Sequence, residues 1–415
     1  VLLCLTIAPG AAFAETTVRM WTFLDPSKPS PRDSALKTMI DSFEKSHPGV
    51  KIKVEPQVYT QLSMKFMLGH KTGSSADVVF VNTSDLGMVM RSGAAADLQA
   101  LFIGKWPKGE DEDFYIRAGW DAALKDGKRF AVPLFHGTEA IFYRKDLFEA
   151  AGVDMTRVKT WDAFAEAARK VTRDGVWGFG TPLAANNPGA ELESTMIVSG
   201  QGDAWNRETC RPDYATPTGI RTVDWVADLI NKHKVMPKEA LVATSDDIHD
   251  QFSAGRYAAI LGAFARFSKA QDEATWDKTQ LRILPFPNFS ADKPGSHRVA
   301  GWWAVVWSKS PQIKEAGQWV EHMISKEGVT TWSKIGGQVP TRSSVLADPA
   351  FQTAAFEHVR TIHAAWSASS WILPVNCNTQ RFDGELNTAV HRVTLGEADA
   401  KAALSEAEKL FRERQ

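Results

Sequence analysis

The sequence predicts an α/β fold on three observations: strand and helix patterns alternate along the chain, one strand candidate is apolar without interruption, and the clearest helices carry their own start and stop signals. Residues 17–22 open the series as a short strand. In 34–47, Leu36, Met39, Ile40 and Phe43 recur at the i, i+3, i+4, i+7 spacing of an amphipathic helix, which Pro48-Gly49 stops. Val50, Ile52 and Val54 alternate with polar neighbours, as in a half-buried strand. The run DVVFV at 77–81 suits a strand covered on both faces, which predicts parallel layers. Further strands are expected at 130–134, 140–143, 176–180, 258–261, 281–284 and 303–307. The helix at 161–172 is the best marked, with Thr160 as N-cap and Asp162 in its first turn. Pro- and Gly-containing breaks at 186–189, 285–295 and 336–340 are expected crossings or hinges.

With 415 residues the chain has room for two or three domains, and 48 Lys+Arg against 49 Asp+Glu leaves no basic surplus for nucleic acid or an anionic membrane. Fifteen Trp against five Tyr is an uneven aromatic stock, suited to a Trp-rich core or to stacking flat ligand faces. The first 14 residues, VLLCLTIAPGAAFA, are uncharged and end in Ala12-Phe13-Ala14, so they read as the h-region and cleavage site of a truncated signal peptide. Cys4 lies in that segment, which leaves Cys210 and Cys377. Export would permit a bond between them, and two free buried thiols are the alternative.

Phosphate-loop, dinucleotide-fingerprint, nucleophile-elbow, H-E-x-x-H and C-x-x-C patterns are all missing from the sequence, and the ten histidines are scattered. Neither a metal nor a cofactor is expected. Carboxylates are plentiful, so a secreted carbohydrate-active enzyme, which needs only two of them at the right separation, stays open as an alternative.

In open α/β sheets ligands bind beyond the carboxyl ends of the strands. That singles out 21–25, 82–85, 135–138, 263–266 and 301–303, each with an aromatic ring, a hydrogen-bonding group or both. Rings that stack on C–H faces, beside groups that bind hydroxyls, suit a carbohydrate or polyol.

These stretches sit in a longer resemblance. The segments VRMWTFLDP, SADVVFVNTSDLGMVMRSGAAADL, GKRFAVPLFHGTEAIFYRKDLFEAAGV with KTWDAFAEAARKV, FSAGRYAAILGAF, and AGWWAVVWSKSPQIKEAGQWVEHMISKEGVTTWSKIGGQVPTRSSV are similar, in order and spacing, to the extracellular solute-binding proteins of ABC importers. The group they most resemble is the sugar-binding one that includes maltose-binding protein. The resemblance implies a two-lobed periplasmic-binding-protein fold, type II-like, with hinge crossings and a ligand cleft between the lobes. It implies a first lobe from 15–135 and 288–341, and a second from 136–287 and 342–415. It places cleft residues at Phe23, Asp25, Ser84, Asp85, His136 and Thr138. Phe264 falls where the family often has a sugar-stacking Trp, and Trp302, with Trp303 beside it, falls in a G-G-W-like turn whose first Gly is here Ala300. Trp371 is expected to approach from the second lobe, ahead of Trp366.

Arg266, two residues past Phe264, can take a carboxylate or phosphate through its planar fork, so an anionic solute such as a sugar acid, sugar phosphate or glycerol phosphodiester rivals a neutral one. The resulting expectation is an exported, periplasmic, monomeric protein that performs no chemistry. It would close over a carbohydrate-like small molecule and present it to an ABC importer's membrane permease.

Overall fold

The computed structural model describes residues 15–185, 192–377, 379 and 382–413. The signal-like segment 1–14 with Cys4, and the break expected at 186–189, lie outside the described residues.

Ten strands carry the architecture: β1 (Thr16–Thr22), β2 (Val50–Pro56), β3 (Val78–Asn82), β4 (Val132–Gly137), β5 (Glu139–Arg144), β6 (Ala259–Ala263), β7 (Leu281–Leu284), β8 (His297–Arg298), β9 (Ala300–Val306) and β10 (Ser370–Trp371). They form two main sheets. The larger has the order β2-β1-β3-β9-β4, and the smaller β6-β5-β7. The class is α/β, as expected, but the strands are not uniformly parallel. Strands β2 and β3 run parallel to β1, whereas β9 is antiparallel to both β3 and β4, and the smaller sheet is antiparallel throughout. The cause is connectivity: β9 enters the large sheet from the other half of the molecule and not through a local helical crossover. The strand expected at 176–180 is reduced to isolated bridges, Trp177 to Tyr257 and Gly180 to Ile260, along β6.

Local chemistry sets the elements that matter for the site. Helix α1 (Pro31–Ser46) starts where the Ser30 side chain accepts from the Asp33 N–H, with Pro at the first position, and it buries Leu36, Met39, Ile40 and Phe43. Strand β3 is buried along Val78–Val81 because neighbours pair on both edges and the core covers both faces. Pro133 is tolerated in β4 because that strand is an edge of its sheet.

Each sheet carries a core. Around the large one are Val18, Met20, Phe80, Trp303, Trp319 and Trp332, and around the small one Trp161, Phe164, Phe179, Tyr214, Trp225 and Phe382. Three passages join them. Thr138 alone separates β4 from β5. Residues 285–299 lead from β7 to β9, and within them β8 pairs in parallel with β10, which belongs to the third passage. Trp366 and Ile372 there belong to the first core, and Trp371 and Leu373 to the second.

Although the resemblance placed everything after 341 in the second lobe, Arg342, Val345, Leu346 and Phe351 pack with the first. The buried Arg342 guanidinium pairs with Glu110 at 2.6 Å and Asp113 at 3.1 Å, which holds the segment there. Helix α2 (Glu357–Ala368) then bridges both halves, with His363 against Tyr115 at 4.0 Å and His358 stacked on Phe267 at 4.2 Å. Cys210 and Cys377, both packed with the second core, form a disulfide that joins positions 167 residues apart.

Candidate functional site

Strands β1 and β3 of the large sheet and β6 of the small one carry expected site residues at their carboxyl ends. Each strand passes directly into a short turn that carries the side chains of interest. After β1, Phe23 lies half-buried with its ring 4.5 Å from Trp302 and 6.5 Å from Phe80. Trp302 sits on β9 opposite Asn82 and Phe135, and a β-bulge separates it from Trp303. The bulge turns Trp302 towards Phe23 while Trp303 stays fully buried behind it, edge-on to His136 at 5.6 Å. Gly301, just before them, has φ +126°, and a Cβ there would lie 2.4 Å from the Phe135 carbonyl oxygen, so only glycine allows β9 and β4 to close up at this point. Thr83 ties the next turn to the same place by donating from Oγ1 to the Gly301 carbonyl at 3.1 Å.

The polar candidates of the first wall are partly committed to local turns. Asp25 accepts from the Ser27 N–H at 3.0 Å and hydroxyl at 2.6 Å, bonds that hold its carboxyl below the usual range. Ser84 is exposed and bonds to the Asn82 side chain, and Asp85 beside it is half-buried. At the first passage His136 is buried among Trp303 and Trp366, and burial pushes it down to about 3, so it is neutral. Thr138 is buried too, and its carbonyl accepts from the Phe264 N–H at 2.9 Å, tying this passage to the second wall.

On the second wall Phe264 is buried against His358, at 5.7 Å and 26°. Arg266 follows it and pairs with Asp246, a largely exposed carboxylate. Trp371 lies in the second core with the Arg298 guanidinium 5.6 Å over its ring, and Arg298 in turn pairs with Asp383 at 2.7 Å. Beside them Glu193, on helix α3 (Leu192–Gln201), is buried with Oε1 unpartnered among the described residues. Burial and the neighbouring Asp383 raise it to about 7.

Phe23 and Trp302 thus meet in the first half, and Phe264, followed by Arg266, is tied to Thr138 in the second, whereas Trp303 and His136 pack against each other in the interior and Trp371 lies in the second core. Sequence reading missed Arg32, in the first turn of α1, whose guanidinium lies 5.4 Å over the Phe23 ring and close enough to Arg266 to feel its charge. The Ser30 cap was the available signal, because it places the following turn against the end of β1. A rim contact was missed as well. Gly87 packs so tightly on the Val375 carbonyl that no Cβ would fit, and Arg91 donates to Asn376 O at 3.1 Å. Among the described residues no cluster of three His, Cys, Asp or Glu side chains could hold a metal ion. A surface pocket of about 400 Å³ lined by Tyr143, Phe148 and Met155 lies at the end of β5 remote from Thr138, where Lys145 pairs with Glu149 at 3.4 Å.

Comparison with known proteins agrees with this geometry. The family described as bacterial extracellular solute-binding protein matches residues 27–330. The arabinooligosaccharide-binding protein of Bacillus subtilis strain 168 is 24% identical over 336 residues, covering 78% of this chain and 72% of its own. Among solved structures, the sugar-binding protein MalE of Xanthomonas citri superposes with a TM-score of 0.81 at 19% identity, over 96% of this chain and 97% of its own. The GacH receptor of Streptomyces glaucescens GLA.O, determined unliganded and with acarbose, gives 0.78 at 19% identity, over 96% and 98%. At these identities the structural likeness establishes the two-lobed fold alone.

Proposed function

Since the chain belongs to the bacterial extracellular solute-binding proteins, we propose that it is the capture component of an ABC importer, binding a carbohydrate-like solute between its two sheets and handing it to a membrane permease. The observation that carries this reading is the pairing of Phe23 with Trp302 at the strand ends, facing Phe264 and Arg266 across a junction made of single-residue and short-strand passages. Stacked rings supply a face for sugar C–H groups, and the turns beside them supply hydroxyl, carboxylate and guanidinium partners. Phe23, Asp25, Ser84, Asp85 and Trp302 form the first wall in this reading, with Trp303 bracing Trp302. Phe264, Arg266 and Trp371 contribute from the second, and His136 and Thr138 from the passage between them.

Closure around the solute is the whole mechanism. The ligand touches both walls only when they approach, so it stabilises the closed arrangement by its difference in affinity for the two states. No bond of the solute is made or broken. Export through the 1–14 segment and action as a monomer complete the reading, and no helix among the described residues is long and apolar enough to cross a membrane.

The test is a thermal-shift and fluorescence screen of the protein against monosaccharides, oligosaccharides and polyols at about 1 mM. A solute with a dissociation constant of about 1 µM adds roughly 4 kcal/mol and raises the midpoint by several degrees. Compaction on binding, seen by small-angle scattering, is the accompanying expectation. Turnover of a hit would favour a carbohydrate-active enzyme, and a panel with no hits would overturn the carbohydrate assignment.

A further inference from the structure

Arg32 is placed against three rules of stability at once. It lies in the first turn of the 16-residue α1, where the helix dipole disfavours a cation. The charge of Arg266, on the second wall, also acts against it. Its guanidinium has no hydrogen-bond or ion-pair partner among the described residues and lies over the Phe23 ring. The adjacent carboxylates do not relieve it. Asp33 is occupied as the acceptor of the Asp25 N–H at 2.8 Å and the Ser30 hydroxyl at 2.6 Å, and Asp25 is taken by Ser27 and Lys28. Burial and Arg266 both weaken the hold of Arg32 on its proton, and Asp33 offsets them only in part. Arg266 is better provided for, but its partner Asp246 is largely in solvent and keeps rotamer freedom.

Two guanidinium groups on opposite walls, one of them unpaired and stacked on the ring that itself touches Trp302, describe half of an ion pair. We propose that the captured solute carries an oxyanion, a carboxylate or a phosphate on a carbohydrate frame, which Arg32 and Arg266 grip from the two sides while Phe23 and Trp302 stack on its apolar face. A planar guanidinium meets either oxyanion with two parallel N–H donors. The anion also removes the repulsion between the two arginines, so it favours closure for a reason that a neutral sugar does not share. The inference rests on the carbohydrate-capture reading of the same cleft.

The experiment is calorimetric titration with matched pairs: galactose and galacturonate, glucose and glucose 6-phosphate, glycerol and glycerol 3-phosphate, with di- and trigalacturonate beside the corresponding galactose oligomers. In each pair that binds, the acidic member is expected to bind at least about tenfold more tightly than the neutral one. Arg32→Gln removes that preference, weakening the acidic member at least about tenfold more than the neutral one, Arg32→Lys loses an intermediate amount, and Arg266→Gln weakens acidic binding less than Arg32→Gln. A preference confined to carboxylates or to phosphates identifies the oxyanion, and either supports the clamp. Without ligand, Arg32→Gln should melt at or above the wild-type midpoint, because it removes an unpaired cation from the positive end of α1. Neutral members that bind as well as acidic ones, or acidic binding that both glutamine variants leave unchanged, would overturn the clamp while the carbohydrate reading stands. A midpoint several degrees lower in Arg32→Gln would assign Arg32 to the fold and overturn the clamp as well. If no member of either series binds, both readings fall.

Discussion

The two halves of the molecule treat buried carboxylates in opposite ways. In the first, Asp77 at the start of β3 is buried and fully employed, accepting from the Arg19 N–H at 2.8 Å and the Ser310 hydroxyl at 2.6 Å. In the second, Glu193 is buried and Asp383, paired with Arg298, is half-buried, and each keeps one carboxylate oxygen unpartnered among the described residues. A carboxylate whose lone pairs are met behaves as structure, whereas burial without that compensation raises Glu193 to about 7. The first half therefore offers the cleft a settled wall with an aromatic face. The second half holds among its buried groups a carboxyl, Glu193, whose charge depends on pH.

The largest expected effect breaks the settled half. Trp303 is fully buried behind Trp302, and Trp303→Ala should cost about 3–5 kcal/mol, read as a large drop in the unfolding midpoint. A loss under 1 kcal/mol would show that this core is not what holds the aromatic face. In the other half, Cys377→Ser or reduction should cost about 2–5 kcal/mol, because the disulfide closes 167 residues and anchors the segment whose Val375 and Asn376 meet Gly87 and Arg91 across the rim. Chemical denaturation with and without reductant measures it.

The contrast in carboxylates is sharpened by pH. Glu193 holds its proton to about 7 in the folded chain, against an ordinary 4.5, so the folded state binds more protons between those values. Its contribution is fully present below the unfolded pKa and is lost as pH rises through that window, by roughly 3 kcal/mol. Glu193→Gln should flatten that slope, and an unchanged slope would place its cause elsewhere. The smallest effect on stability is expected from Phe23→Ala, a half-buried ring at the cleft. That variant should weaken binding of any captured sugar about tenfold or more while lowering the midpoint far less than Trp303→Ala. Equal losses in binding and stability would return Phe23 to the core.

Much of the fold was legible in the chain. The Leu36, Met39, Ile40 and Phe43 stripe and the Thr160 cap became helices with those faces and that start, because periodicity and capping depend on residues within one or two turns of each other. The strand-end rule led to Phe23, Phe264 and Arg266 for a similar reason: a strand's end is visible locally even when its neighbours are not. Trp302, expected outside a strand at 303–307, lies within β9. What escaped was everything fixed by long-range pairing. The bulge at Trp302 and Trp303 requires β4 alongside, and two adjacent tryptophans in one strand give no sign of which will meet Phe23 and which His136. Arg32 looked like an ordinary first-turn residue until α1 was packed beside the end of β1, facing the other wall.

The sequence by itself determined the alternation of elements, the neutral balance that argues against nucleic acid, and the family to which the spaced segments point. Each is a property of composition or of local order along the chain. Only the tertiary structure decided that β9 runs antiparallel, that Arg342 with Val345, Leu346 and Phe351 packs with the first half, that Cys210 meets Cys377, and that the charge of Arg266 reaches Arg32. Those outcomes join groups from tens to hundreds of residues apart. They are settled by how two sheets share three passages, a geometry that no local pattern along the chain encodes.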